Sequence, residues 1–181
     1  MASVFSHAIT AFAAGKLISQ KGFDRKAIIL GMICSAIPDL DAIGFWMGVP
    51  YHSFWGHRGF THSFCFAALL AVFCAFIFYP KEKILSKSFL LKGLYFFIAT
   101  ASHPVLDAMT NGGLGVAFFA PFDNTRYFFP FRPISVSPIS ISVFFSERGL
   151  EVLKSEFIWI WAPSLMLILI TVIFKRKRES E

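Results

Sequence analysis

Three stretches of this chain, Phe60 to Tyr79, Phe89 to Met109 and Phe157 to Phe174, are apolar for about the 20 residues a helix needs to cross a hydrocarbon core about 30 Å thick. Lipid offers no partners to backbone N–H and C=O groups, so such spans must be helical or closed into a barrel. Two further apolar segments, Val4 to Ile18 and Ala27 to Val49, carry polar residues near one end. The second is interrupted at Pro38-Asp39-Leu40-Asp41, and both fit either partial spans or buried helices. The expected fold is an all-α polytopic membrane helix bundle of about five spans, a single integral membrane domain over residues 1–181. Composition agrees. The chain is 56% hydrophobic and 15% charged, against roughly 45–50% and 25% in soluble domains. That balance argues against a soluble globular enzyme, a disordered tail or a DNA-binding module, and no nucleic-acid partner is expected despite a formal charge of +6. Cys34, Cys65 and Cys74 lie in apolar runs without zinc-ribbon or disulfide spacing, and read as small core residues. No basic residue precedes the first apolar run, which does not resemble a cleaved signal peptide.

The cations give the bundle a direction. Lys16, Lys21, Arg25 and Lys26, then Lys81, Lys83, Lys87 and Lys92, then Lys175, Arg176, Lys177 and Arg178 fall on one side if all five segments cross. The other side holds Arg58, Arg126, Arg132, Arg148 and Lys154. Cytoplasmic loops are the Lys/Arg-rich ones, which places the N-terminus outside and the C-terminus inside. The connections at about 38–60 and 110–156 then face outward. The second contains Pro121, Pro130, Pro133 and Pro138 among seven aromatic residues from Phe118 to Phe131. It suits an aromatic lid at the bilayer interface or a packed cap over the bundle.

On this topology all five histidines and Asp39, Asp41, Asp107 and Asp123 lie on the outer side. At about 1.5 Å per helical residue, His7, Asp39, His62 and His103 each sit roughly 18–25 Å above the inner end of their own segment. Four helices thus bring His or Asp to one depth. Ionisable groups at such depth are costly and are usually functional where they occur. Imidazole with carboxylate is the ligand set of zinc and similar divalent ions. His103-Pro104-Val105-Leu106-Asp107 has i, i+4 spacing, which puts both side chains on one helical face, with a kink expected at Pro104. Asp39 and Asp41 would diverge on a helix, so a turn is expected there. In His57-Arg58-Gly59-Phe60-Thr61-His62-Ser63, Gly59 permits a sharp turn and Thr61 is placed to cap the next span. Taken singly, each pattern also fits a plain helix end or interfacial loop. His52, beside Pro50, Tyr51 and Trp55, reads as interfacial and outside the site.

In order, Ser6-His7, Pro38-Asp39-Leu40-Asp41, the block His57 to Ser63 and Ser102-His103-Pro104-Val105-Leu106-Asp107 resemble the LexA-regulated inner-membrane family of metal-dependent hydrolases, the YdjM-like proteins. Pro121 to Pro138 resembles the outer loop of one branch of that family, so the likeness covers nearly the whole chain. More distantly, the order His7, Asp39, His62, His103, Asp107 resembles the zinc-dependent phospholipase C and single-strand nuclease group. A later histidine pair is missing, so the likeness implies one or two ions rather than three. The resemblance implies a bacterial inner-membrane, multi-pass hydrolase with a divalent metal, zinc by preference, its site facing the extracytoplasmic side. His7, Asp39, His62, His103 and Asp107 are the preferred ligands. Asp41 and His57 fit as ligands, as supports of the ligands or as the proton-transfer group. The depth of the site favours membrane lipid or a lipid-linked phosphoester as substrate. Arg58, with Arg126 or Arg132, could hold its phosphate by bidentate bonds. The resident carboxylates are the other anion open to Arg58. A transporter, or a structural protein braced by a metal, is the alternative.

Overall fold

The computed structural model describes residues 1–19 and 23–180. Lys21, one of the clustered cations, lies outside the described residues, as do the side chains of Arg176 and Arg178. The helices are α1 (Val4–Ile18), α2 (Arg25–Ala36), α3 (Ile43–Trp46), α4 (Phe64–Phe78), α5 (Lys87–Ala108), α6 (Ile141–Phe144), α7 (Glu147–Glu156) and α8 (Ala162–Ser180). Among the described residues the only β pairing is two isolated bridges, Thr110 with Ile134 and Val116 with Tyr127. The all-helical bundle expected from the apolar segments is the fold.

Three helical stretches are long and apolar enough to cross a membrane: Arg25–Trp46, Lys87–Ala108 and Glu147–Lys175. Val4–Ile18 and Phe64–Phe78 are shorter apolar helices. The ranking of two segments is therefore reversed. The Pro38–Asp41 region does not break the second segment, because a 3-10 helix at Ile37–Ala42 carries the chain from α2 into α3. The third segment shortens because Phe60–His62 forms its own 3-10 turn. Ser63, rather than Thr61, caps α4, accepting from the Phe66 N–H at 3.0 Å. Helix α5 runs unbroken through Pro104. The last segment widens into a π turn at Phe157–Trp161 just before Pro163, which has no N–H to offer the preceding turn.

Tyr95 sets how closely α1, α2 and α5 approach. Its hydroxyl lies 3.0 Å from the Ala11 carbonyl and 3.1 Å from that of Ile28, both acceptors. Gly15 and Gly31 face its ring, and a Cβ at Gly31 would stand 2.2 Å from it. Small residues that admit close backbone approach are how helices pack in lipid, where apolar burial between helices gains little. Cys34 and Cys74 are buried in the same cluster, with sulfurs 3.5 Å apart.

The two ends of the bundle differ. At one end Lys26 donates to the Phe78 carbonyl, Tyr79 to Asp24, and Lys175 to the carbonyls of Lys16 and Ser19, while Lys92 pairs with Glu82. The start of α1, the end of α2, the start of α4, the end of α5 and the π turn meet at the other. The 110–156 connection closes over that end. Its hydrogen bonds include Asn111 N–H to the Ile134 carbonyl, Phe129 N–H to that of Ala108 and Ser137 N–H to that of Met1.

Candidate metal centre

Four side chains from three elements converge at the capped end. Asp39 comes from the 3-10 helix after α2, His62 from the 3-10 turn before α4, and His103 and Asp107 from successive turns of α5. One ligand atom of each lies within 4.8 Å of every other, and the group could hold a metal ion. The side chains of His62, His103 and Asp107 have no exposed surface, and that of Asp39 is 11% exposed.

The imidazole orientations follow from the outer nitrogens. The Nδ1–H of His103 donates to the Ser35 carbonyl, which can only accept, at 2.7 Å. The Nδ1 of His62 lies 3.1 Å from Asp41 Oδ2. Both Nε2 lone pairs are thereby turned inward, and they face one another at 3.1 Å. Asp39 Oδ1 is 3.3 Å from His103 Nε2 and 3.7 Å from His62 Nε2. Asp107 Oδ2 is 3.6 Å from His62 Nε2 and 4.0 Å from His103 Nε2. Four donors about 2.0–2.1 Å from one ion in a tetrahedron lie roughly 3.4 Å apart. The spacings bracket that value. Both oxygens of Asp39 are buried without a hydrogen-bond partner, an arrangement that is costly unless something else satisfies them. The donor set and its unpartnered oxygens therefore fit a divalent cation.

His7 stands beside this group, not in it. Its ring stacks on that of His103 at 3.6 Å, and its Nε2 lies 3.6 Å from Asp107 Oδ1. Both ring nitrogens are buried and unpartnered. Asp41 faces the other way from Asp39, as two positions so close on a helical turn must. Its carboxylate receives His57 Nδ1 at 2.6 Å, Thr61 Oγ1 at 2.6 Å, His62 Nδ1 at 3.1 Å and the Arg58 N–H at 3.2 Å. His57 meets Oδ1 and the other three converge on Oδ2, so both oxygens are engaged. Asp41, His57 and His62 also form a convergent group that could hold an ion, but their hydrogen bonds make it an orienting network. Burial lowers the pKa of His57 against the opposing pull of Asp41. Thr61, expected as a helix cap, belongs to this network.

The three arginines separate. Arg58 is fully buried, donating through Nε to Asp107 Oδ2 at 3.0 Å, through Nη1 to the Gly112 carbonyl at 2.8 Å and through Nη2 to Thr110 Oγ1 at 2.9 Å. Of the two anions open to it, Arg58 meets a resident carboxylate here, and all three of its guanidinium nitrogens are engaged by protein groups. It also holds the turn: φ is +63° at Arg58, while Gly59 has φ −84° and is needed for close approach, since a Cβ there would lie 2.3 Å from the Phe54 carbonyl. Arg126 donates to the carbonyls of His57, Tyr51 and Ser53, and so ties the 110–156 connection to the 47–59 loop rather than reaching the cluster. Arg132 is exposed and lies over the Phe128 ring at 4.6 Å, and it too is not drawn into the site. His52 is exposed and stands apart.

Sequence reasoning missed Glu156. It is fully buried at the last position of α7, accepting from the N–H and Oγ of Ser3 and from Ser6 Oγ, which also receives Trp161 Nε1. Ala2 N–H donates to Asp107 Oδ1 at 2.7 Å. The residues before His7 are thus pinned between α5 and the π turn. The signal that could have found it was an acidic residue at the mouth of an apolar span.

Residues 1–178 match the YdjM inner membrane protein family. The inner membrane protein YbcI of Escherichia coli (strain K12) is 32% identical over 168 residues, covering 93% of this chain and 95% of that protein. No solved structure gives a significant match. Neither the matched family nor this relative shows the likeness to zinc-dependent phospholipases C expected from ligand order. The chain belongs to the YdjM inner membrane protein family.

Proposed function

We propose that this member of the YdjM inner membrane protein family is a multi-pass, divalent-metal-dependent hydrolase of a lipid or lipid-linked phosphoester, working from the extracytoplasmic side. The observation that carries the reading is the approach of His62 Nε2 and His103 Nε2 to 3.1 Å beside the unpartnered carboxylate of Asp39. With both Nδ1 atoms facing acceptors, the two Nε2 atoms are free to be lone pairs, and a cation among them and the carboxylates would satisfy all of them at once. Asp39, Asp41 and Asp107 outnumber the Arg58 guanidinium and the chain's N-terminal amine beside Asp107, which leaves negative charge in a buried place for a cation to balance.

Asp39, His62, His103 and Asp107 would hold the ion, zinc by preference for this donor set, with His7 beside Asp107 free to serve a second. A divalent ion in such a site acidifies water and polarises a phosphoryl oxygen. Asp41 and the Ser35 carbonyl orient the two ligand imidazoles. His57, held by Asp41 through Nδ1, can take or give a proton at Nε2. The cation-poor end that carries the site supports the extracytoplasmic side, and the inner-membrane family supports a lipid substrate.

A second reading, an ion that only braces the bundle, is favoured by one observation: four protein donors converge within 4.8 Å of one another, enough to fill a tetrahedral site with no open position. Metal analysis of detergent-purified protein, followed by phosphate release from phospholipid vesicles with and without chelator, separates the two. One or two ions per chain are expected. His62→Ala and His103→Ala should each lower metal affinity by about 10–100-fold or more, and His52→Ala should retain it. Unchanged stoichiometry in both site variants sinks the metal centre. Chelation that lowers the melting temperature, with no hydrolysis of any phosphoester by the loaded protein, selects the brace.

A further inference from the structure

The geometry points to a lateral acyl-chain groove that delivers a membrane lipid to the metal centre, an inference that rests on the hydrolase reading above. A groove of about 450 Å³ runs between α1 and α2. Ile29, Ile33, Ile37 and Leu40 form a helical stripe along one wall, with Val4 and Ala8 opposite. Volumes of this order hold small-molecule ligands. Its lining is apolar, and Val4, Ile29, Ile33 and Leu40 are each about half exposed at its rim.

Three features name the occupant. From Ile29 to Leu40 the wall rises by roughly 18 Å, at about 1.5 Å per residue to Ile37 and about 2.0 Å in the 3-10 turn beyond it, which is close to half of a hydrocarbon core about 30 Å thick. One leaflet's acyl chain therefore fits the groove along its length. The walls also carry the site. Val4 and Ala8 bracket His7 on α1, and Ile37 and Leu40 bracket Asp39. Lastly, Asp39 is the one residue of the four-ligand group whose side chain keeps residual exposure, while its two oxygens are buried and unpartnered behind it. A chain lying against α1 and α2 would bring its headgroup to the Ile37–Leu40 turn that carries that carboxylate. Neither groove counts a cluster residue in its lining, but Ala8 and Leu40 adjoin His7 and Asp39, whereas a comparable apolar groove of about 300 Å³ between α4 and α5, lined by Ala68, Val72, Phe76, Leu90 and Leu94, lies farther from the cluster along the chain. It provides an internal control.

The test uses the full chain in phosphatidylethanolamine and phosphatidylglycerol vesicles, with a phosphatidylglycerol bearing a diazirine midway along one acyl chain. Peptide mapping after photolysis should find several-fold more label in residues 29–40 than in 68–76. Ile33→Trp, which fills the groove from its exposed rim, should bring the two to the same level without loss of bound metal. Equal labelling of both grooves in the unaltered protein would overturn the proposal whatever the protein hydrolyses. So would a groove shielded by a second copy, seen as dimers cross-linked through Ile33→Cys. Ile33→Trp should also slow hydrolysis of a long-chain phosphoester far more than that of a water-soluble one with the same headgroup. Equal slowing of both removes the groove from substrate delivery and leaves the hydrolase standing. Selective labelling without turnover of either substrate keeps the groove and removes the hydrolase.

Discussion

Asp41 is the residue on which the orientation of the site turns. Its carboxylate holds His57, His62 and Thr61 together. Asp41→Asn keeps the shape and replaces one acceptor oxygen by a donor, which frees the His62 ring to choose its tautomer. Zinc affinity, measured against a competing chelator, should fall by about 10–100-fold, as for other supports of metal ligands. An unchanged affinity would remove Asp41 from the orientation of His62. Arg58 makes a different prediction. It is buried and paired, so Arg58→Met strands the Asp107 charge at a cost of about 3–5 kcal/mol. Arg58→Lys returns the charge without the three-way hydrogen bonding. The melting temperature in detergent should fall for both, and further for Met. At this scale the HxxxD spacing, the paired aspartates and the HRGxTHS block were legible, because ionisable residues stand out in an apolar sequence. The direction each side chain faces was not. That Asp39 and Asp41 diverge to opposite sides of His62 depends on a 3-10 turn, and that Arg58 takes the positive φ depends on the loop around it. Glu156 stayed hidden because its serine partners lie at the far end of the chain.

Among the elements, the contact of α1, α2 and α5 at Tyr95 decides how closely the ligand-bearing helices approach. Gly31→Leu drives a side chain into the Tyr95 ring, where even a Cβ stands at 2.2 Å. Overpacking of this kind costs roughly 1–3 kcal/mol, and parting α2 from α5 also moves Ser35 away from His103. Thermal stability and zinc affinity should therefore fall together. A Cβ at Gly93, on α5, would meet nothing within 4 Å, so Gly93→Ala should leave both nearly unchanged. Loss of stability in Gly31→Leu with full zinc affinity would disconnect the packing from the site. The apolar periodicity revealed which segments are helices but ranked two of them wrongly. Hydropathy cannot see that Pro38 is accommodated by a tighter helix, or that Phe60–His62 turns separately before α4 begins.

For the whole molecule, the segregation of cations is the feature that orients it. Lys16, Lys26, Lys83, Lys87, Lys92 and Lys175 stand at the end opposite the cluster. With that end cytoplasmic, a membrane-impermeant thiol reagent added to intact cells should label a cysteine at the exposed Asn124 and miss one at the exposed Lys83. The reverse pattern would turn the site toward the cytoplasm. The bundle architecture was readable from composition and run length, whereas the joining of its two ends was not. Those joins link residues far apart in sequence, Tyr95 to Ala11 and Glu156 to Ser3 among them. They also impose an order on biogenesis. His7, Asp39 and His62 emerge from the ribosome before His103 and Asp107 exist, and Glu156 emerges later still. The first three helices enter the membrane carrying polar groups whose partners have not yet been synthesised. They must wait, hydrated or protonated, until α5 arrives to close the cluster and α7 with the π turn after it arrives to fasten the start of the chain. The length of that wait is set by the rate of translation, and the same buried polarity that makes the finished site useful makes the half-made protein the form most exposed to quality control.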